Sequence, residues 1–323
     1  MAWLQLLGGG LLLYFGAEWF VGGASALALS LRVPQLVVGL TVVAYGTSAP
    51  EVIVGIQAAL ADRGAVALGN VIGSNIANIG LILGAAALLR PSKVDRSLRR
   101  RELPVLVGTT ALVPVILLDG AVTRSEAGVL MLLAVAYTTL TVRSARGARA
   151  TTEARADTAI TAAAADAAGA PATRSTAGAS MTALFGLGVL LVGGHLFIEG
   201  AVDVARALGM SDRLVGLTIV AVGTSLPELV TSLIAASRGH SDIAVGNVVG
   251  SNIFNVLLCL GAAATAAPLR APLAAAWPDL VALAAMTILA ATFIRTERYV
   301  SRLEGAIALG LYALFVALTV ARG

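Results

Sequence analysis

The chain has 323 residues, of which 58% are hydrophobic and only 12% charged, with a mean hydropathy of +0.90. Soluble domains carry about 25% charged residues, so a soluble globular fold is excluded. The net charge of +4 and pI near 9.7 would suit a nucleic-acid partner, but the basic residues gather between apolar runs, where they act as topology signals.

Ten apolar stretches follow one another: 4–29, 34–60, 66–88, 103–118, 126–142, 182–206, 213–236, 242–264, 277–294 and 303–321. Most are about 20 residues long, enough to cross a bilayer as a helix. A β-barrel would show short alternating segments instead. The predicted fold is therefore an all-α polytopic membrane protein of about ten transmembrane helices. The start lacks a basic n-region and a small-residue cleavage site, so the first stretch reads as an uncleaved span. The single cysteine, Cys259, lies in an apolar span; an internal disulfide is excluded and a thiolate metal cluster is not expected.

Assigning loops alternately to the two sides puts 16 Lys and Arg on the side holding 90–102, 143–180 and 295–302, against six on the other. The positive-inside rule makes the first side cytoplasmic, with both termini outside. Anionic-lipid contact is a secondary use for such charge. The segment 143–180 is rich in Ala and Thr and low in complexity. It reads as a cytoplasmic linker, mostly disordered or weakly helical, too short and simple for a folded regulatory domain.

Shifting the sequence by 177 residues superposes 39–84 on 216–261 without a gap, with 24 of 46 residues identical. Further out, 126–142 resembles 304–320. Residues 1–142 and 181–323 thus form two repeats of about five spans each. An odd number of spans means that the second repeat enters the membrane inverted. Inverted repeats place substrate sites near the midplane, where helices are interrupted.

The interruption is visible in "AYGTSAPE". Ala44, Thr47, Ser48 and Glu51 follow i, i+3, i+4, i+7 spacing and share one helical face. Pro50 cannot donate to the helix ladder, which is expected to free carbonyls near Ala44 to Gly46. The second copy has Ala221, Thr224, Ser225, Pro227 and Glu228. The next spans add Ser74 with Asn78 and Ser251 with Asn255, each at i, i+4. Asn70, Asn75, Asn247 and Asn252 lie on other faces, as backbone or packing partners. The converging ligands are all oxygens, without His or Cys, a set that hard cations such as Na⁺ and Ca²⁺ prefer. An ionised carboxylate at membrane depth costs at least ~2.5–3.5 kcal/mol. No Lys or Arg lies near either glutamate in sequence, so a mobile cation is the simplest partner. A lone copy could be a kink with a protonated glutamate; two inverted copies, each with a polar pair, argue for a site.

"GLTVVAYGTSAPE…GNVIGSNIANIGLILG" and "GLTIVAVGTSLPE…GNVVGSNIFNVLLCLG" resemble the two α-repeats of the calcium/cation antiporters, above all the prokaryotic sodium/calcium exchangers. The resemblance spans nearly the whole chain outside the linker. It implies that spans 2, 3, 7 and 8 enclose the ion sites while spans 1 and 6 move across them. It further implies that Glu51, Glu228, Thr47 and Thr224 hold Ca²⁺. Ser48, Ser74 and the Ala44 carbonyl would form one flanking Na⁺ site, and Ser225, Ser251 and the Ala221 carbonyl the other. Asn78 and Asn255 would line the middle. Archaeal relatives have Asn in the first "SNIxN" and Asp in the second, whereas both are Asn here, which leaves a formal core charge of −2. Glu18 in span 1 and His195, Glu199 and Asp203 in span 6 read either as paired, groove-facing charges or as an ion entrance.

The resulting expectation is a secondary-active antiporter exchanging Na⁺ for Ca²⁺ in a prokaryotic plasma membrane (the inner membrane of a Gram-negative cell), with no cofactor and no obligatory protein partner. H⁺/Ca²⁺ or other divalent-cation antiport is the alternative within the class, and a passive cation channel the alternative outside it. No P-loop, HExxH or nucleophile elbow is present, so an enzyme ranks last.

Overall fold

The computed structural model describes residues 1–160, 175–210, 221–296 and 299–322. Helices dominate. They are α1 (Ala2–Leu31), α2 (Gln35–Thr47 with Ala49–Leu60), α3 (Gly64–Leu89), α4 (98–116), α5 (Arg124–Ile160), α6 (Thr176–Ala207), α7 (Ala221–Gly223 with Leu226–Ser237), α8 (Ser241–Ala266), α9 (Leu273–Thr296) and α10 (Arg302–Arg322). Among the described residues seven helices are long and apolar enough to cross a membrane, and α2 makes eight if its bent pair is one span. α4 starts earlier than the apolar stretch 103–118 suggests, because a π-helical turn at Leu98–Glu102 carries its arginines into the helix. The first part of the predicted span 213–236 lies outside the described residues. α5 runs on as helix to Ile160, and α6 starts at Thr176 behind a Ser175 cap whose hydroxyl accepts from the Gly178 N–H.

Inversion is written into the contacts. Two short antiparallel ribbons each take one strand from each half: β1 (Ser92–Lys93) pairs with β4 (Tyr299–Val300), and β2 (Ala121–Val122) with β3 (Leu269–Arg270). Adding 177 or 178 to β1 and β2 gives β3 and β4, so each ribbon is the repeat image of the other. The hydroxyls of Thr110 and Thr287, themselves 177 apart, meet at 3.2 Å where α4 packs on α9. Asp62 (φ 56°) and Gly239 (φ 84°) take the same left-handed turn after α2 and α7.

α3 and α8 form the centre. The most apolar stretch of α8 is 94% buried, against 11% for α10 on the rim. α2 and α7 pack on them. α1 and α6 lie together outside this core along a seam of glycines spaced by seven: Gly9, Gly16 and Gly23 on α1, Gly186, Gly193 and Gly200 on α6. A Cβ at Gly9 would stand 2.5 Å from the Phe197 nitrogen, and one at Gly193 would stand 2.5 Å from the Leu13 nitrogen. Small residues let helix backbones touch in this way, which is the main source of helix adhesion in lipid. The pair also carries charged groups of its own. His195 Nε2 lies 3.3 Å from Glu199 Oε1 on the same helix, and Arg238 at the end of α7 clasps Glu18 of α1 with NH2···Oε1 and NH2···Oε2 both at 2.7 Å.

Candidate cation site

α2 and α7 break where their motifs predict. In α2 the helix stops at Ser48 (φ −80°, ψ 5°), resumes at Ala49 with Pro50 in its first turn, and bends by 43°. Ser225 (φ −90°, ψ 9°) opens the second half of α7 with Pro227 in the same place. The carbonyl of Ala44 is not bare, contrary to the expectation from Pro50: it accepts the Ser48 N–H at 3.1 Å and lies 3.5 Å from the Thr47 hydroxyl. Pro50 sits at the start of the new helix, so the lost donor falls at a turn rather than within the ladder. In the second copy the Ser225 N–H goes to Val222, three residues back, at 3.1 Å. α3 and α8 are also altered, each passing into a π-helical turn at its asparagine, Asn78–Leu83 and Asn255–Leu260. Such turns are frequent at functional sites.

Glu51 and Glu228 are both 1% exposed. Each is held by the opposite repeat. Ser48 Oγ donates to Glu228 Oε1 at 3.1 Å, and Ser225 Oγ donates to Glu51 Oε1 at 3.1 Å. Ser225 Oγ also lies 3.4 Å from Ser74 Oγ. Thr47 and Thr224 come within interaction distance of Glu228 and Glu51 respectively. Behind the carboxylates, Asn70 Nδ2 donates to the Glu51 carbonyl at 3.1 Å and Asn247 Nδ2 to the Glu228 carbonyl at 3.4 Å. These two amides brace the broken helices, the packing role their position suggested.

What is left without a partner defines the site. Glu51 Oε2, Glu228 Oε2, both amide atoms of Asn78, Ser251 Oγ, Asn252 Oδ1 and Thr231 Oγ1 are buried and make no hydrogen bond. An orphaned buried polar atom costs about 1–3 kcal/mol, and more if charged. Five of the seven belong to predicted ligands: the two glutamates, Asn78 and Ser251. Among the described residues no group of three His, Cys, Asp or Glu could hold a metal, so the two carboxylates depend on neutral oxygens to complete any coordination shell.

Asn255, expected to mirror Asn78, does not. Its Nδ2 donates to Asn75 Oδ1 at 3.0 Å, while Cys259 Sγ donates to its Oδ1 at 3.3 Å. Sequence reading missed Cys259, which it left as an apolar-span thiol, and also Thr231 and Ser232. Ser232 Oγ accepts from Asn247 Nδ2 at 3.0 Å. The signal was available: Val54 and Gly55 stand at the matching positions of the first repeat.

A helical membrane core with two broken helices crossing over two buried carboxylates defines a cation transporter. The profile of the sodium/calcium exchanger protein family matches residues 1–143 and 179–321. The chain is 37% identical over 273 residues to the inner membrane protein YrbG of Escherichia coli (strain K12), covering 83% of this chain and 81% of YrbG. It is 32% identical over 343 residues to the sodium/calcium exchanger MaX1 of Methanosarcina acetivorans, covering 97% of each. Its fold superposes on the sodium-calcium exchanger NCX_Mj, soaked with Na⁺ and Ca²⁺, with a TM-score of 0.82 and 33% identity over 98% of this chain and 97% of that one. The chain belongs to the sodium/calcium exchanger family: it is a membrane-embedded cation antiporter and not an enzyme.

Proposed function

We propose that this antiporter couples Na⁺ movement to Ca²⁺ transport in the opposite direction at the site between Glu51 and Glu228, in the plasma membrane of a prokaryote. The observation that carries this reading is the pair of buried carboxylates, each with one oxygen tied to the opposite repeat and the other oxygen unpartnered. Two formal negative charges with no basic partner among the described residues suit one Ca²⁺ or two Na⁺. A third Na⁺ would make exchange electrogenic, and this is the stoichiometry we favour.

In this reading Glu51, Glu228, Thr47 and Thr224 hold Ca²⁺. Ser48 and Ser74 with the Ala44 carbonyl, and Ser225 and Ser251 with the Ala221 carbonyl, hold Na⁺ on either side. Asn78 offers its free amide to an ion or its water, and Asn255 serves mainly to fix the wall. The glycine seam lets α1 and α6 move as one body across the core, so that the site opens to one side at a time. Relatives that exchange Na⁺ and Ca²⁺ by name, MaX1 and NCX_Mj, support the choice of ions. The charge count supports both termini outside and the segment 143–180 as a cytoplasmic linker.

Proton-driven Ca²⁺ antiport is the second reading. It is favoured by nothing in the middle of the site, since both residues there are asparagines, whose amides do not titrate. Uptake of ⁴⁵Ca²⁺ into proteoliposomes loaded with Na⁺, with K⁺, or with a pH gradient separates the two. Na⁺-dependent uptake supports the proposal, and uptake driven only by the pH gradient overturns it.

A further inference from the structure

Three arginines of the first turns around α4 and one from the last turn of α9 surround a single cleft. Arg96, Arg99, Arg100 and Arg295 line this space of about 310 Å³. A guanidinium is charged at every physiological pH, so four in one cleft repel one another unless an anion joins them. Among the described residues no ion pair is seen for any of the four. Two carboxylates close to the α4 arginines in sequence are otherwise engaged. Asp95 Oδ1 accepts from the Ser97 N–H at 2.6 Å and from the Ser97 hydroxyl at 2.5 Å. Glu102 is buried and accepts from the Tyr137 hydroxyl at 2.7 Å. Glu297 and Arg298 lie outside the described residues.

The inverted repeat supplies an internal control. Adding 177 to Arg96, Arg99 and Arg100 gives Leu273, Ala276 and Trp277, and subtracting it from Arg295 gives Leu118. The four equivalent positions on the opposite face of the membrane are therefore uncharged, with Leu118 72% and Trp277 57% exposed. The α4–α9 packing does not require arginines at these positions. Further along the two helices toward the membrane interior, Val107 of α4 and Ile288 of α9 are apolar and exposed.

We infer that the cleft between α4 and α9 binds a phosphate-bearing anion of the kind carried by anionic membrane lipids. The fork of a guanidinium matches phosphate oxygens in pairs, and the apolar flank of α4 and α9 suits an acyl chain descending from the headgroup. The bound anion would bridge the first repeat to the second. This use differs from topology signalling. The positive-inside rule counts charge and is satisfied equally by lysine, whereas bidentate recognition depends on the guanidinium shape.

The test is native mass spectrometry of the purified full-length protein in neutral detergent, titrated with dioleoylphosphatidylglycerol or dioleoylphosphatidylcholine. Wild type should retain the anionic lipid in preference to the zwitterionic one. R99Q/R100Q should lose that preference by about tenfold, and R99K/R100K should lose part of it. R295Q repeats the test from the other helix and leaves the 90–102 loop unchanged, so a folding defect in the double variant does not decide the matter. Competition by millimolar inorganic phosphate would show that the phosphate group carries recognition; selective lipid retention without such competition would show that the acyl chain contributes. Equal retention of the anionic lipid by wild type, R99Q/R100Q and R295Q, each eluting as a single species, overturns the inference.

Discussion

The two broken helices share their motif almost letter for letter, yet the walls behind them differ. In the second repeat, Asn255 is held on both sides, by Asn75 and by Cys259. In the first, the image of that arrangement would pair Asn252 with Asn78 and place a donor at Ile82. Neither happens: Asn252 turns its Nδ2 to the Val248 carbonyl at 2.8 Å, and Asn78 is left with both amide atoms free. The same asymmetry appears one turn below the glutamates, where Thr231 and Ser232 replace Val54 and Gly55. The repeat thus builds a symmetric cage of crossed serine–glutamate bonds, and a few unmatched residues give its two halves different work. One half keeps a free amide, and the other spends its amide on rigidity.

This comparison can be broken at its symmetric part first. Glu51→Gln and Glu228→Gln each remove half of the site's charge, and each should abolish Na⁺-dependent Ca²⁺ uptake, with a loss of more than about 100-fold, or ~2.7 kcal/mol. Near-normal uptake by either correctly inserted variant would sink the assignment.

The crossed bonds come next. Ser225→Ala removes a donor that reaches Glu51 and lies beside Ser74, and should lower apparent Ca²⁺ affinity about tenfold, or ~1.4 kcal/mol. Ser48→Ala removes one bond only and should cost less, about threefold. Equal effects would mean that the Ser225–Ser74 contact at 3.4 Å carries nothing.

The asymmetric part separates by readout. Asn78→Ala should change ion affinity several-fold with little change in thermal stability, because its amide makes no internal bond. Asn255→Ala should do the reverse, lowering the unfolding temperature by several degrees as two internal bonds are lost. A binding isotherm and a melting curve on each variant check both. Cys259→Ala, which frees Asn255 Oδ1 and makes the second wall more like the first, should have a smaller effect in the same direction as Asn255→Ala. The smallest effect is expected for the low-complexity linker: replacing 150–176 by a Gly/Ser linker of equal length should leave exchange within about threefold. A complete loss would show that the segment contributes to transport.

Much of this was legible in the sequence. Hydropathy marks the spans, the 177-residue shift forces the inversion, and the prolines locate the breaks. The serines and glutamates could be chosen because helical spacing places them on one face. What the sequence hid were contacts between helices. Nothing in the spacing of Asn75 and Asn255 says that they meet across the repeat, since their separation of 180 residues is closed only by the packing of α3 on α8. The period-seven glycines were present in the letters, but their meaning depends on α1 lying against α6. The Ala44 carbonyl was misjudged because a proline one turn later reads equally well as a kink or as a helix start, and the backbone at Ser48 chooses the second.

The central claim is that the crossed carboxylates exchange Na⁺ for Ca²⁺. It is tested most directly by ⁴⁵Ca²⁺ uptake into proteoliposomes holding wild-type protein, with internal Na⁺, internal K⁺ or an imposed pH gradient, under a valinomycin-clamped potential. The account predicts uptake with internal Na⁺ alone, faster when the inside is made positive and slower when it is made negative, because three Na⁺ leaving for each Ca²⁺ that enters carry one net positive charge outward. Uptake that ignores the Na⁺ gradient and follows the pH gradient would contradict it.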